Sequence, residues 1–207
     1  MRSQLAELAA LVAPPRCAAC LGQAGTREAV CGECRAALRS ERGLRGPGPP
    51  GVDLAVSACE FADVARAVIH GLKYGRRLEL AHVAAEAIEA ACPAGELHGT
   101  VVPVPASPLR WRWRGFDPAE EIALALGRLA ALPHAACLRR AHGPRQVGRS
   151  RHARLAEPPR VRLEGTAPAR VVLIDDVRTT GATLASCARV LRDGGAENVV
   201  ALTFAHA

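Results

Sequence analysis

Apolar residues in this chain gather in short runs separated by segments of helical spacing. The clearest run is Val171-Val172-Leu173-Ile174, three of its four residues β-branched, and it stops at Asp175-Asp176. Such a run suits a central parallel strand covered on both faces. Leu184 to Arg192 reads as a helix, which makes the intervening threonine-rich segment a loop at the strand's carboxyl end. Thr100 to Val104, ending at Pro105, and Asn198 to Phe204 read as further strands. Val52 to Phe61 reads as a strand or hairpin arm, and Ala135 to Leu138 as a short strand. Val64 to Leu72 and Glu79 to Ala91 read as amphipathic helices, Pro118 to Leu132 as another helix, and residues 3–12 as a short one. Leu109 to Phe116 is expected as a basic aromatic loop and Gly143 to Pro159 as an irregular basic segment. Strands alternating with helices, without an internal repeat, predict an α/β domain with a mainly parallel sheet.

Composition changes this picture at the N-terminal end. Gly43 to Gly51 carries three prolines and four glycines, and reads as a linker. It divides the chain into residues 1–42, a short helix with a cysteine module, and residues 52–207, the α/β domain. The 207 residues are 49% apolar, yet no run approaches the roughly 20 residues that a membrane span needs. With no signal-peptide pattern before Pro14-Pro15, a cytoplasmic protein without membrane insertion is expected. The net charge of +7 favours polyanionic partners, a pyrophosphate or nucleic acid. Lys73 is the only lysine among 27 basic residues. Lysine presents a compact charge where arginine presents a planar fork, so its retention points to ligand contact.

Two segments carry chemistry. Asp175 and Asp176 offer paired acceptor oxygens, and behind them Val177, Arg178, Thr179, Thr180, Gly181, Ala182 and Thr183 form a small-residue loop opening a helix. Backbone N–H groups at a helix N-terminus favour an anion, and Gly181 permits close backbone approach. Carboxylates beside such a cradle need a donor or a metal to face. Ribose hydroxyls satisfy the first condition and Mg²⁺ the second. The other segment is Cys17-Ala18-Ala19-Cys20 followed by Cys31-Gly32-Glu33-Cys34, whose spacing is that of a closed structural Zn²⁺ site. Cys59, Cys92, Cys137 and Cys187 show no pairing pattern and read as small core residues.

The loop after Asp175 resembles the phosphoribosyl-pyrophosphate (PRPP) loop of the type I phosphoribosyltransferase fold, and the whole chain resembles the ComF family. These are competence-associated, phosphoribosyltransferase-like proteins with an N-terminal zinc ribbon. Besides the cysteines and the loop, the likeness rests on Gly71-Leu72-Lys73-Tyr74-Gly75, Val102-Pro103-Val104-Pro105 and Arg114-Gly115-Phe116. It extends through Leu138-Arg139-Arg140 to Gln146 and Arg151. Asp117-Pro118 stands where the family usually reads Asn-Gln.

The resemblance implies catalytic-site roles for Asp175 and Asp176 and PRPP contacts along residues 177–183. It also implies pyrophosphate or closing-loop contacts for Lys73, Val104, Pro105, Arg114, Arg140, Gln146 and Arg151, with Mg²⁺ accompanying PRPP. Arg110, Arg112 and Arg114 follow the turn at Ala106-Ser107; ligand contact and an edge strand of snorkelling side chains are equal readings of their alternation with tryptophan. Two functions stay open. One is a phosphoribosyltransferase with an unidentified acceptor, acting in natural competence and DNA uptake. The other is a non-catalytic PRPP-sensing module that contacts single-stranded DNA or a competence helicase through the ribbon and the basic surface. A homodimer is an assembly open to either.

Overall fold

The computed structural model describes residues 15–26, 28–40, 43–140 and 160–207. The helix expected over residues 3–12, the segment from Gly143 to Pro159, and with it Gln146 and Arg151, lie outside the described residues.

In chain order the elements are α1 (Gly32–Ser40), β1 (Leu44–Gly46), β2 (Leu54–Glu60), α2 (Asp63–Gly75), α3 (Leu80–Ala91), β3 (Thr100–Pro103), α4 (Pro108–Arg114) and α5 (Pro118–Leu129). They continue as β4 (Leu138–Arg140), β5 (Val161–Leu163), β6 (Arg170–Arg178), α6 (Ala182–Asp193) and β7 (Asn198–His206). Five strands form one sheet in the order β1-β2-β7-β6-β3, with β1 antiparallel to β2 and every other pairing parallel. Strands β4 and β5 make a separate antiparallel pair.

Alternation along the central strands divides the core in two. Val172 and Ile174 pack with Ile69 and Leu72 of α2, Ile88 of α3, and Ile122 and Leu126 of α5. Val171 and Leu173 pack on the other face with Leu184, Cys187 and Leu191 of α6 and with Leu138. Successive strand residues point to opposite faces, so a central strand buried on both sides must be apolar throughout, as β6 is from Val171 to Ile174. This is an α/β fold of the phosphoribosyltransferase type, with a mainly parallel five-stranded sheet and a four-cysteine module on its N-terminal side.

Two expectations are corrected. Residues 109–114, read as a loop or an edge strand, lie in helix α4, fixed at its ends by Ser107, whose Oγ accepts from Arg110 N–H, by Pro108 in the first turn, and by Gly115 in the left-handed region. The short strand read at Ala135 to Leu138 falls instead at Leu138–Arg140. Within the Pro/Gly segment, Leu44–Gly46 forms the sheet's edge strand, and Pro49 packs where a methyl group on Gly181 would meet it at 3.2 Å.

The cysteine module is docked on the domain. Cys17, Val30, Cys34 and Leu38 belong to the same core as α2 and α3. Glu86 of α3 receives the guanidinium of Arg35, that of Arg39 at 3.2 Å, and His82 Nε2 at 3.3 Å.

Candidate functional site

Register creates the cleft. Pairing of β3 with β6 ends at Pro103 opposite Ile174, whereas β6 runs on to Arg178 beside β7. Residues 175–178 thus form a ledge flanked on one side only. Crevices of this kind, beyond the carboxyl ends of parallel strands, are where open α/β sheets hold ligands. The cavity here measures about 400 Å³. Its lining includes the carboxylates of Asp117, Asp175 and Asp176 and the cations of Lys73, Arg110, Arg114 and Arg140.

The two adjacent aspartates occupy different surroundings because β6 is still a strand at their positions. Asp176 faces the α2 layer, where its Oδ2 lies 2.8 Å from Lys73 Nζ. Asp175 faces the α6 layer, and its Oδ1 accepts from the Asp176 N–H at 2.9 Å. Burial, reinforced by the charge of Asp176, pushes the Asp175 carboxyl up to about 8, with the Asp176 N–H and Lys73 opposing the shift. Asp117 is a third carboxylate that motif reading did not assign to the site. Its Oδ1 caps α5 by accepting from Ala119 N–H at 3.1 Å, and its Oδ2 accepts from Ala106 N–H at 2.6 Å. Burial raises this carboxyl to about 6 against those two hydrogen bonds, with Asp176 and Glu120 adding to the rise. An aspartate directly before Pro-Ala-Glu-Glu is an N-cap signal, so its place was visible in the sequence although its cleft contact was not.

The turn after β3 supplies the opposite wall. Val104, Pro105, Ala106 and Ser107 line the cavity, and Arg140 Nε donates to Pro105 O at 2.9 Å. Burial lowers the pKa of Arg140. Arg114 Nε is buried without a hydrogen-bond partner among the described residues, and its guanidinium lies over the Tyr74 ring.

At the end of β6, Val177, Thr179 and Thr183 reach the cavity, whereas Arg178, Thr180, Gly181 and Ala182 do not line it. Gly181 sits at φ 76 and, lacking a side chain, gives α6 no cap of its own, while Thr180 Oγ1 accepts from the Ala182 N–H at 3.4 Å. Orphan N–H groups of a helix start favour a phosphate. Of the anticipated ligand contacts, the cleft therefore gathers Lys73, Val104, Pro105, Arg114, Arg140, Asp175, Asp176, Val177, Thr179 and Thr183.

The four cysteines form a second, separate site. The sulfurs of Cys17, Cys20, Cys31 and Cys34 all lie within 4.8 Å of one another, and Cys20 and Cys31 Sγ are 3.7 Å apart. A tetrahedral ion with metal–sulfur bonds of about 2.3 Å places its ligands about 3.8 Å apart, so this group could hold a metal ion such as zinc. Burial opposes the Cys17 thiolate, but backbone N–H groups of Cys20, Cys31 and Ala19 bring its pKa down to about 6. Among the described residues no helix is long and apolar enough to cross a membrane.

No family model matches the chain. It is similar to the DNA utilization protein YhgH of Escherichia coli O157:H7, at 30% identity over 199 residues, covering 88% of this chain and 86% of that protein. With the cysteine module, the threonine loop and the α/β architecture already in place, this likeness shows that the chain belongs to the ComF family.

Proposed function

We propose that the protein binds PRPP with Mg²⁺ in the cleft above β6 and serves in the use of internalised DNA. The observation that carries this reading is the single cavity that brings three carboxylates, four cations and the threonine loop together at the end of one strand. In it, Thr179, Thr183 and the start of α6 hold the 5-phosphate, and Asp175 and Asp176 face the ribose and its metal. Lys73, Arg114 and Arg140 stand by the pyrophosphate. A hard divalent cation prefers such carboxylates together with substrate phosphate oxygens. If an acceptor nucleophile bonds to C1 of the ribose as the C1–O bond to pyrophosphate breaks, the fixed cations neutralise the leaving pyrophosphate, so the protein mainly positions and stabilises charge. The four cysteines hold structural zinc. The relative's name attaches that protein to DNA utilization, and we extend the setting to this chain.

Calorimetry with PRPP and Mg²⁺ tests the site. Changing Asp175 and Asp176 together to Asn should lower Mg²⁺-dependent affinity at least tenfold, about 1.4 kcal/mol. An unchanged affinity in the folded variant refutes the assignment. Pyrophosphate release across a panel of bases and amines then separates turnover from binding alone: sustained release with one acceptor identifies a transferase, and binding without release makes PRPP the ligand of a DNA-handling module.

A further inference from the structure

Helix α4 buries none of its seven residues. Leu109 is 79% exposed, Trp111 54% and Trp113 70%, and nearby Tyr74, at the end of α2, is 53% exposed. A helix this short gains little from propensity, and this one is held by its caps while contributing nothing to the core. What it accomplishes is display. Trp113 meets Tyr74 edge-on at 6.0 Å between ring centroids, Tyr74 meets His70 at 4.9 Å, and the Arg114 guanidinium lies over the Tyr74 ring at 5.2 Å.

Guanidiniums dominate the charge beside these rings. Arg110, Arg112 and Arg114 alternate with the tryptophans, and Arg76 lies beside Gly115. None of these four guanidiniums is in an ion pair with a described residue, whereas neighbouring Arg77 is held by Glu79. The facing carboxylates, Glu120 and Glu121, sit with Trp111 in a larger cavity of about 1030 Å³, also lined by Pro103, Phe116 and Leu138. This cavity shares Pro105, Ala106, Asp117 and Arg140 with the cleft.

We infer that α4 and the end of α2 form a stacking platform for single-stranded nucleic acid, passing across the mouth of the PRPP cleft. Trp113 beside Tyr74 and Trp111 on the other side of α4 are separated aromatic faces, and with guanidiniums between them they suit bases and phosphates of a strand that wraps the helix, without sequence preference. A membrane surface fits less well. Residues two apart on a helix are about 200° apart around it, so Trp111 and Trp113 point to different sides and no single apolar face forms. The inference rests on the DNA-use part of the reading above, not on PRPP binding, and it moves the DNA contact from the cysteine module to the domain.

Trp111 and Trp113 are the chain's only tryptophans, so their fluorescence reports on this surface alone. A thymidine oligomer of about 20 nucleotides should quench it saturably at low salt, with affinity falling steeply as salt rises. Trp111→Ala with Trp113→Ala should weaken binding of a labelled oligomer at least about tenfold. Arg112→Ala should lower the salt slope by about one. Both variants should keep native circular dichroism and unaltered PRPP calorimetry. Oligomer binding without a tryptophan response, or undiminished binding by the double variant, overturns the platform and returns DNA to the cysteine module. Quenching by anionic phosphatidylserine vesicles but not by oligomer overturns it in favour of a membrane. Oligomer quenching in a protein that fails to bind PRPP would refute the cleft reading and leave the platform standing.

Discussion

Asp175→Asn should stabilise the fold while weakening Mg²⁺-dependent PRPP binding. The Asp175 carboxyl is raised from 3.8 to about 8, burial being the first cause. A raised carboxyl binds its proton more tightly folded than unfolded, so stability is greatest below the ordinary carboxylate range and declines as pH rises towards 8. A shift of about four units sets a ceiling of roughly 6 kcal/mol. Relaxation around the charge and the nearby Lys73 bring the realistic figure to about 1–3 kcal/mol. Asparagine keeps the shape and still accepts from the Asp176 N–H, but carries no charge to desolvate. Asp117, raised only to about 6, and the Cys17 thiol, brought down to about 6, are common to both proteins, so the difference between variant and parent from about pH 6 to about 8 reports Asp175. Urea unfolding of both proteins at the two ends of that interval, with zinc held constant, measures the effect. The variant should gain on the parent protein as pH rises. A variant less stable than the parent at about pH 8, or a difference that does not change with pH, would refute the reasoning.

Gly181→Ala places a side chain at φ 76 and 3.2 Å from Pro49, so it should cost about 1–2 kcal/mol in urea unfolding and weaken PRPP binding several-fold. Purified protein should contain one metal ion per chain by elemental analysis, expected to be zinc. Cys17→Ser should lose that ion and lower Tm, because Cys17 and Cys34 reach the core shared with α2 and α3. A chain beginning at Val52 lacks β1 and Pro49 and should melt below one beginning at Gly43; equal Tm values would make the segment a simple tether.

Where residues are buried in a regular pattern, the sequence announced the structure. The β-branched run of β6, the threonine loop and α6 were all legible because burial on two faces demands continuous apolar side chains. Helix α4 escaped for the converse reason. Hydrophobic periodicity records burial, and a helix that buries nothing leaves none; Arg-Trp-Arg-Trp-Arg instead imitates a strand. Its true markers were Ser107-Pro108 before it and Gly115 after it, the signs of a capped helix. Strand β1 escaped because three edge residues between Gly43 and Pro47 carry too little pattern, and composition alone does not reveal that Pro49 has the start of α6 to pack on. In the cleft, the acidic pair was readable as chemistry. Its division between two layers follows only once β6 is seen to continue past Ile174 to Arg178.

That division makes the hydrophobic core a ruler for the cleft. Neighbours on a strand have opposite parity, so the two aspartates are not spare copies of one another. One answers to Lys73 and the other to the chamber beneath α6. Sliding β6 by a single residue would exchange these addresses and, in the same movement, turn Val171 to Ile174 inside out. The packing of four aliphatic side chains thereby decides which carboxyl is buried on the α6 side of the sheet and which lies beside an ammonium. A substitution in the middle of the sheet that loosens this register would change the acid–base character of the cleft without altering any residue that lines it.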